Sequence, residues 1–322
     1  MQNKHLEHPE DLVLLGKQSV KQVINFYRED ATATVKWDGA PAIVFGNNPE
    51  NGRFFVGTKS VFNKRKVKIN YTHHDIEVNH GENQKVASIL HVCLDNLPRN
   101  RGIWQGDFIG FGGSDSYHPN TLTYTFPRTI ERNLVFAVHT YYHGNSMKEL
   151  TVSDNRYEHG TPKPIVEFVD TRAEVVSRHK RINVLLKIAD VLRHFVKYPT
   201  GDDAKELKVA INKCIRENRK VDCLPGNLQR LFDIMTEVKR LTMNGIVAKS
   251  DVVCSFEGEE CEHEGYVLKN DYGMFKLVNR QVFSYRNFTA AKQWQTNTAT
   301  VTVKTQQGEN APTIKFQPSP QF

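Results

Sequence analysis

The 322-residue sequence predicts an α+β fold, with antiparallel β-sheets flanked by helices and one inserted helical block. Three observations carry this. Short β-branched and aromatic runs bounded by Gly, Pro, Asn and Asp recur before residue 145 and again after residue 244. Between them, 173–196 and 204–242 carry charged, helix-periodic sequence with "KYPTGDD" and "DCLPGN" as breaks. Helical spacing also occurs near the N-terminus and over 83–97.

From 9 to 29, Leu12, Leu15, Val20, Val23, Ile24 and Tyr27 recur at helical spacing, and Gly16 breaks the run into one or two short helices. Strands over 33–37, 42–45 and 53–57, separated by "DGAP" and "GNNPENG", predict an antiparallel meander. His73, His74 and His80 fall in a predicted surface loop. Over 83–97, Val86, Ile89, Leu90 and Cys93 share one helix face, after which "RGIWQGDFIGF" and "NLVFAVHTYY" read as strands. Beyond the helical block come strands "NGIVAKS", "EGYVLKN" and "MFKLVNRQVF", the last two joined by a "DYG" hairpin turn. Strands on both sides of the block predict one unit over 1–288 with a helical insertion at about 173–242. Residues 289–322, rich in Thr, Gln, Asn and Pro, predict a marginal strand pair or a loose tail, and no internal repeat is visible.

Composition narrows the function classes. Hydrophobic residues make up 39% and charged residues 25%, and no apolar run reaches the roughly 18 residues of a membrane helix. The N-terminus lacks the basic, apolar, small-residue order of a secretory signal, which predicts a cytoplasmic protein, in the host cytoplasm if viral. Five scattered cysteines argue for reduced thiols. Cys254, Cys261 and His263 form a Cys-x6-Cys-x-His pattern that matches no standard zinc spacing and lacks a fourth ligand. The net charge of +7 allows a polyanionic partner. Lys59, Lys64, Arg65, Lys66 and Lys68 fall within ten residues, and Arg178, Lys180, Arg181 and Lys187 form a second cluster; either also reads as a solvated basic face.

Lys36 in "KWDG" sits at a strand end beside an Asp-Gly turn, alone a weak pattern. Its setting includes "VGTKSVF" with Lys59, "QGDFIGF" with Asp107, "LVFAVH" with Phe136, and "EGYVLKNDYGMFK" with Glu264, Lys269 and Lys276. In this order the motifs resemble those of the covalent nucleotidyltransferases, the superfamily of ATP-dependent DNA ligases, RNA ligases and mRNA capping enzymes. The short Glu264-to-Lys276 interval and the Glu-Gly-Tyr-Val element are most similar to the phage and fungal tRNA-repair RNA ligases. The motifs spread from Val35 to Arg280, with close similarity confined to about thirty residues.

That resemblance implies a ligase-type (ATP-grasp-like) nucleotidyltransferase fold using ATP and Mg2+. Lys36 would be the nucleophile that becomes lysyl-AMP, with Lys276 as the catalytic phosphate-binding lysine. Asp38, Gly39, Lys59, Phe136, Glu264 and Lys269 would be nucleotide-binding, with Phe136 stacking on the purine, and Glu264 and Asp107 metal-binding. Lys64, Arg65, Lys66 and Lys68 would hold a nucleic acid with a 5′-phosphate end, RNA ahead of DNA. Core or turn roles for Phe136 and Asp107 fit the sequence equally well. The expected reaction seals a 5′-phosphate to a 3′-hydroxyl; a nucleotidyltransferase with another acceptor, a DNA ligase, or a degenerate nucleic-acid-binding relative are the alternatives.

A lysine with its usual pKa of about 10.4 cannot attack phosphorus at neutral pH. Lys276, Lys269, a bound metal or desolvation is therefore expected to lower it. The sequence departs from the family at "APA" after the Asp-Gly, where an arginine or polar residue is common, and at Val278, where a second lysine is usual. "NGIVAKS" resembles the Glu-Gly element but starts with asparagine and reads as a decoy strand. "GFGGSD" matches neither the phosphate loop nor the dinucleotide fingerprint.

Overall fold

The structure, a computed structural model, describes residues 6–99, 102–153 and 165–289. The predicted tail from 290 onward lies outside the described residues. In chain order the first strands are β1 (Thr32–Lys36), β2 (Ala42–Asn47), β3 (Phe54–Thr58), β4 (Ile103–Phe111), β5 (Ser116–Tyr117), β6 (Thr123–Thr125), β7 (Leu134–His143) and β8 (Thr151–Ser153). They are followed by β9 (Val166–Phe168), β10 (Arg172–Val175), β11 (Ile246–Ala248), β12 (Val253–Phe256), β13 (Glu259–Cys261), β14 (Gly265–Asn270) and β15 (Gly273–Val278). The helices are α1 (Lys17–Arg28), α2 (His73–His80), α3 (Gln84–Asn96), α4 (Arg181–Leu192), α5 (Asp202–Arg216), α6 (Gly226–Met243) and α7 (Arg280–Thr289), with 3-10 helices at Pro9–Leu15 and Lys59–Phe62.

The fold is α+β with open antiparallel sheets. The first sheet runs β11-β10-β1-β14-β15, the second β3-β2-β4-β7-β8, and a small third β13-β12-β6-β5. Among the described residues one strand pair departs from the antiparallel rule: β9 runs parallel to β7.

Alternation decides which residues face what. In β1, Ala33 and Val35 are buried while Thr32, Thr34 and Lys36 are not, and in β15 Phe275 and Leu277 are buried on either side of Lys276. Ala33, Leu268, Phe275 and Leu277 pack on Val23 and Ile24 of α1, Leu186 of α4 and Met235 of α6. Lys36 and Lys276 therefore emerge on the face turned away from the helices. In the second sheet, Phe45, Phe108 and Phe136 pack on Ile89, Leu90 and Cys93 of α3. Asp107, one residue from Phe108, takes the opposite face. A third core, including Val35, Trp37, Ile109, Tyr124, Ala137 and Val278, ties all three sheets together beneath the segment that crosses from β1 to β2.

Four local expectations change. Strand β1 does not join β2 and β3 in a meander; it pairs with β10 and β14, because the "DGAP" segment carries the chain from one sheet to another rather than folding it back. The histidine-rich stretch is helical: Thr72 and Asp75 form a capping box, and Ile76 is buried against the second sheet's core. The insertion starts after Val175, since 172–175 is a strand of the first sheet. Strand β15 stops at Val278, and residues from Arg280 are helical.

Candidate active site

Lys36 is the last residue of β1, directly opposite Gly265, the first residue of β14. Glu264 precedes that glycine, so its carboxylate meets the Lys36 ammonium in an ion pair. The glycine is required there. Gly265 has φ +156°, and a Cβ at this position would lie 2.1 Å from the Leu277 carbonyl oxygen on β15. The Glu-Gly dipeptide thus places a carboxylate at a strand start where the next strand leaves no room for a side chain.

The two members of the pair respond oppositely to their surroundings. Burial weighs first on Glu264, whose side chain is 10% exposed against 30% for Lys36. It raises the Glu264 carboxyl to about 7, with Lys36 opposing and Asp38 and Asp107 adding to the rise. Burial also acts most strongly on Lys36, in the lowering direction, but Glu264, Asp107 and Asp38 together outweigh it, and the Lys36 pKa is raised. The expected depression of the lysine is therefore corrected: three carboxylates surround the ammonium. Lys276 is the group that shifts down, through burial and then the charges of Lys36 and Arg280.

Asp38 is committed to holding the crossing segment. Its Oδ1 accepts from Asn120 Nδ2 at 2.7 Å, and its Oδ2 accepts from the backbone N–H groups of Thr121 at 2.8 Å and Leu122 at 3.2 Å. Its own N–H donates to the Tyr124 hydroxyl at 2.6 Å. Gly39 lets this segment touch the second sheet: a Cβ there would sit 2.7 Å from Asp107 Cβ and 2.8 Å from the Phe108 carbonyl oxygen. The close approach that glycine permits in this structure is thus to β4.

Residues 3–225 and 226–292 match the model of a family of unknown function (DUF6267). The chain belongs to this family. No curated protein and no solved structure matches it.

The remaining site residues of this DUF6267 chain divide into those near Lys36 and those elsewhere. Asp107 pairs in register with Ala42 and Ala137, and its carboxylate lies 3.6 Å from His139 Nε2. Lys59 follows Thr58, whose partner is Ile43, so it continues the row of Ala42 and Asp107 at the same end of the second sheet. Neither Lys59 nor Lys276 has a carboxylate within ion-pairing distance among the described residues. Lys269 lies four residues along β14 from Gly265, about 13 Å of strand away. Phe136 is fully buried against Phe45 and Phe168, on the α3 face of the sheet, so its ring has no open side for a base. Lys64, Arg65 and Lys66 are exposed after the second 3-10 helix, whereas Lys68 turns inward and donates to the Asn79 carbonyl.

His139 and Asn120 belong to the site and were not predicted from sequence. His139 sits in "LVFAVHTYY" at a β-bulge opposite Gln105 and Gly106, which alters the strand's simple alternation. Asn120 comes from an irregular loop, where periodicity carries no signal.

Proposed function

We propose that this chain is a lysine-nucleophile nucleotidyltransferase, and specifically an ATP-dependent polynucleotide ligase of the RNA-ligase type. The observation that supports this best is the placement of Lys36. It stands at a strand end on the face of the first sheet turned away from the helices, paired to Glu264, with Asp107 on the second sheet close enough to act on both. Lys59 and Lys276, without carboxylate partners among the described residues, offer cations to the phosphates of a nucleoside triphosphate.

ATP is a substrate in this reading. Neutral Lys36 Nζ attacks the α-phosphorus, a P–N bond forms, the bond to the bridging oxygen breaks, and pyrophosphate leaves with that electron pair. The AMP then passes to a 5′-phosphate end, and a 3′-hydroxyl displaces it. Before attack the ammonium must lose a proton, and the paired Glu264 carboxylate is the nearest acceptor.

The described residues contain no cluster of three or more His, Cys, Asp or Glu side chains that could hold a metal. Magnesium needs no such cage, since one or two carboxylates complete its shell with water and substrate phosphates. Glu264 and Asp107 fit that requirement and would hold it, where it would neutralise charge on the leaving pyrophosphate.

Incubation with α-labelled ATP and magnesium is expected to label the wild-type chain and leave Lys36→Ala unlabelled. A wild type that takes no label from ATP or GTP overturns the reading. Sealing of 5′-phosphorylated single-stranded RNA, compared with nicked duplex DNA, then identifies the ligase type. A label without sealing of either supports another acceptor.

A further inference from the structure

Helix α4 and the residues just after it present apolar side chains that nothing among the described residues covers. Val184, Ile188, Val191 and Phe195 are 56%, 48%, 64% and 69% exposed. Isolated exposed apolar residues are ordinary, but Val184, Ile188 and Val191 follow 4-3 spacing along about 10 Å of helix, with Phe195 beyond its end. That is the spacing of a coiled-coil seam. The opposite face is already used: Ile182, Leu186 and Ala189 are buried in the helical core. Phe195 lies just past the helix end, and its carbonyl is fixed by the Asn227 side chain at 3.0 Å.

The two borders of the seam differ. On one side Leu185 and Leu192 pack into the chain's own core. On the other stand the exposed Lys180 and Lys187, and beyond them His194, whose pKa is lowered by desolvation and then by Lys17 of α1. The only acid of α4, Asp190, is held by Lys21, Arg28 and Arg193 at 3.3, 3.1 and 2.8 Å. The open border is therefore basic.

We propose that the outer face of α4 is half of a coiled-coil seam that docks a helix of another protein, one bearing acidic residues beside its apolar line. The width of the patch argues for a helix over a lipid surface, because interfacial helices carry a broad apolar face and this seam is one residue wide. A nucleic acid is disfavoured by the methyl groups, which offer its phosphates no donors. A second copy would set Lys180 and Lys187 against themselves in an antiparallel pair, or against the covered Leu185 and Leu192 border in a parallel one.

The probe is a synthetic peptide of about four heptads, with Ile and Leu on the seam and Glu at both flanking positions, which cannot pair with itself. Titrated against the full-length chain at low salt, it is expected to bind in the micromolar range. A Lys-flanked version is expected not to bind, and the double variant Ile188→Glu/Val191→Glu to lose about tenfold or more. These positions are exposed, so the variant's melting transition should match the wild type; Lys180→Glu/Lys187→Glu tests the charge term separately. Failure of the acidic peptide to bind, or equal binding to wild type and the seam variant, overturns the proposal. So does a dimer of the chain alone that the seam variant dissolves, or binding to phosphatidylserine vesicles that the same variant abolishes.

Discussion

Lys36 and Glu264 are ion-paired, with burial raising the Glu264 carboxyl to about 7, so the lysine's chemistry depends on what happens to the glutamate. Removing the Glu264 charge takes away the largest influence that raises the Lys36 pKa. Glu264→Gln is therefore expected to make Lys36 react faster with an amine-modifying reagent at pH 8, about tenfold for each unit by which its pKa falls. Peptide mass spectrometry of the modified chain reads this without requiring activity, and unchanged Lys36 modification contradicts the pairing. Asp38 tests a different link. Three donors converge on its buried carboxylate, and Asp38→Asn would turn an amide N–H2 toward one or more of them. A loss of about 2–3 kcal/mol in urea unfolding is expected.

At the level of elements, spacing and backbone sterics explain what could be read and what could not. The β14–β15 hairpin was legible because "EGYVLKNDYGMFKLV" alternates cleanly and its turn residues are distinctive. Lys36, Glu264 and Lys276 were singled out by the order of their motifs, and strand register then sets Lys36 opposite the start of β14, beside Glu264. What could not be read was sheet membership: a strand ending at "DGAP" has the same local sequence whether the chain turns back or crosses to another sheet. Phe136 shows the same limit, because its face depends on the register of β4 against β7 and on where α3 packs. Two glycines separate strain from contact. Gly258, in the turn between β12 and β13, has φ +86° with open space around it, whereas Gly265 adds a 2.1 Å clash with β15. Gly258→Ala is expected to cost about 1 kcal/mol and Gly265→Ala clearly more, at least 3 kcal/mol, by thermal or urea unfolding. Equal costs contradict the close approach of β14 to β15.

Across the whole molecule, buried charges join the helical insertion to the N-terminal segment and to α7. Glu10 pairs with Lys239 of α6, and Arg280, at the start of α7, reaches Asp11 at 2.6 Å and Asn212 of α5 at 2.7 Å. All four charged side chains are buried. Beside them the His8 ring is driven neutral, its pKa lowered by burial first and then by Arg280 and Lys239. A histidine with a depressed folded pKa contributes stability above its unfolded value of about 6.5 and loses it as pH falls below that value. Stability should accordingly decline on acidification below about pH 6.5, and His8→Leu should flatten the decline, by up to about 1.4 kcal/mol per pH unit. Because one cluster touches Pro9–Leu15, α5, α6 and α7, its loss cannot stay local. Lys239→Met leaves Glu10 with only the longer 3.6 Å contact to Arg280 and an Oε2 that has no partner, and should cost about 3 kcal/mol, while Glu10→Gln/Lys239→Met should recover part of it. Helical ellipticity and tryptophan emission should fall together in both variants, since Trp37 sits in the core that ties the three sheets. A helical transition that precedes the fluorescence change would show that the insertion unfolds by itself and that this cluster does not couple it to the site.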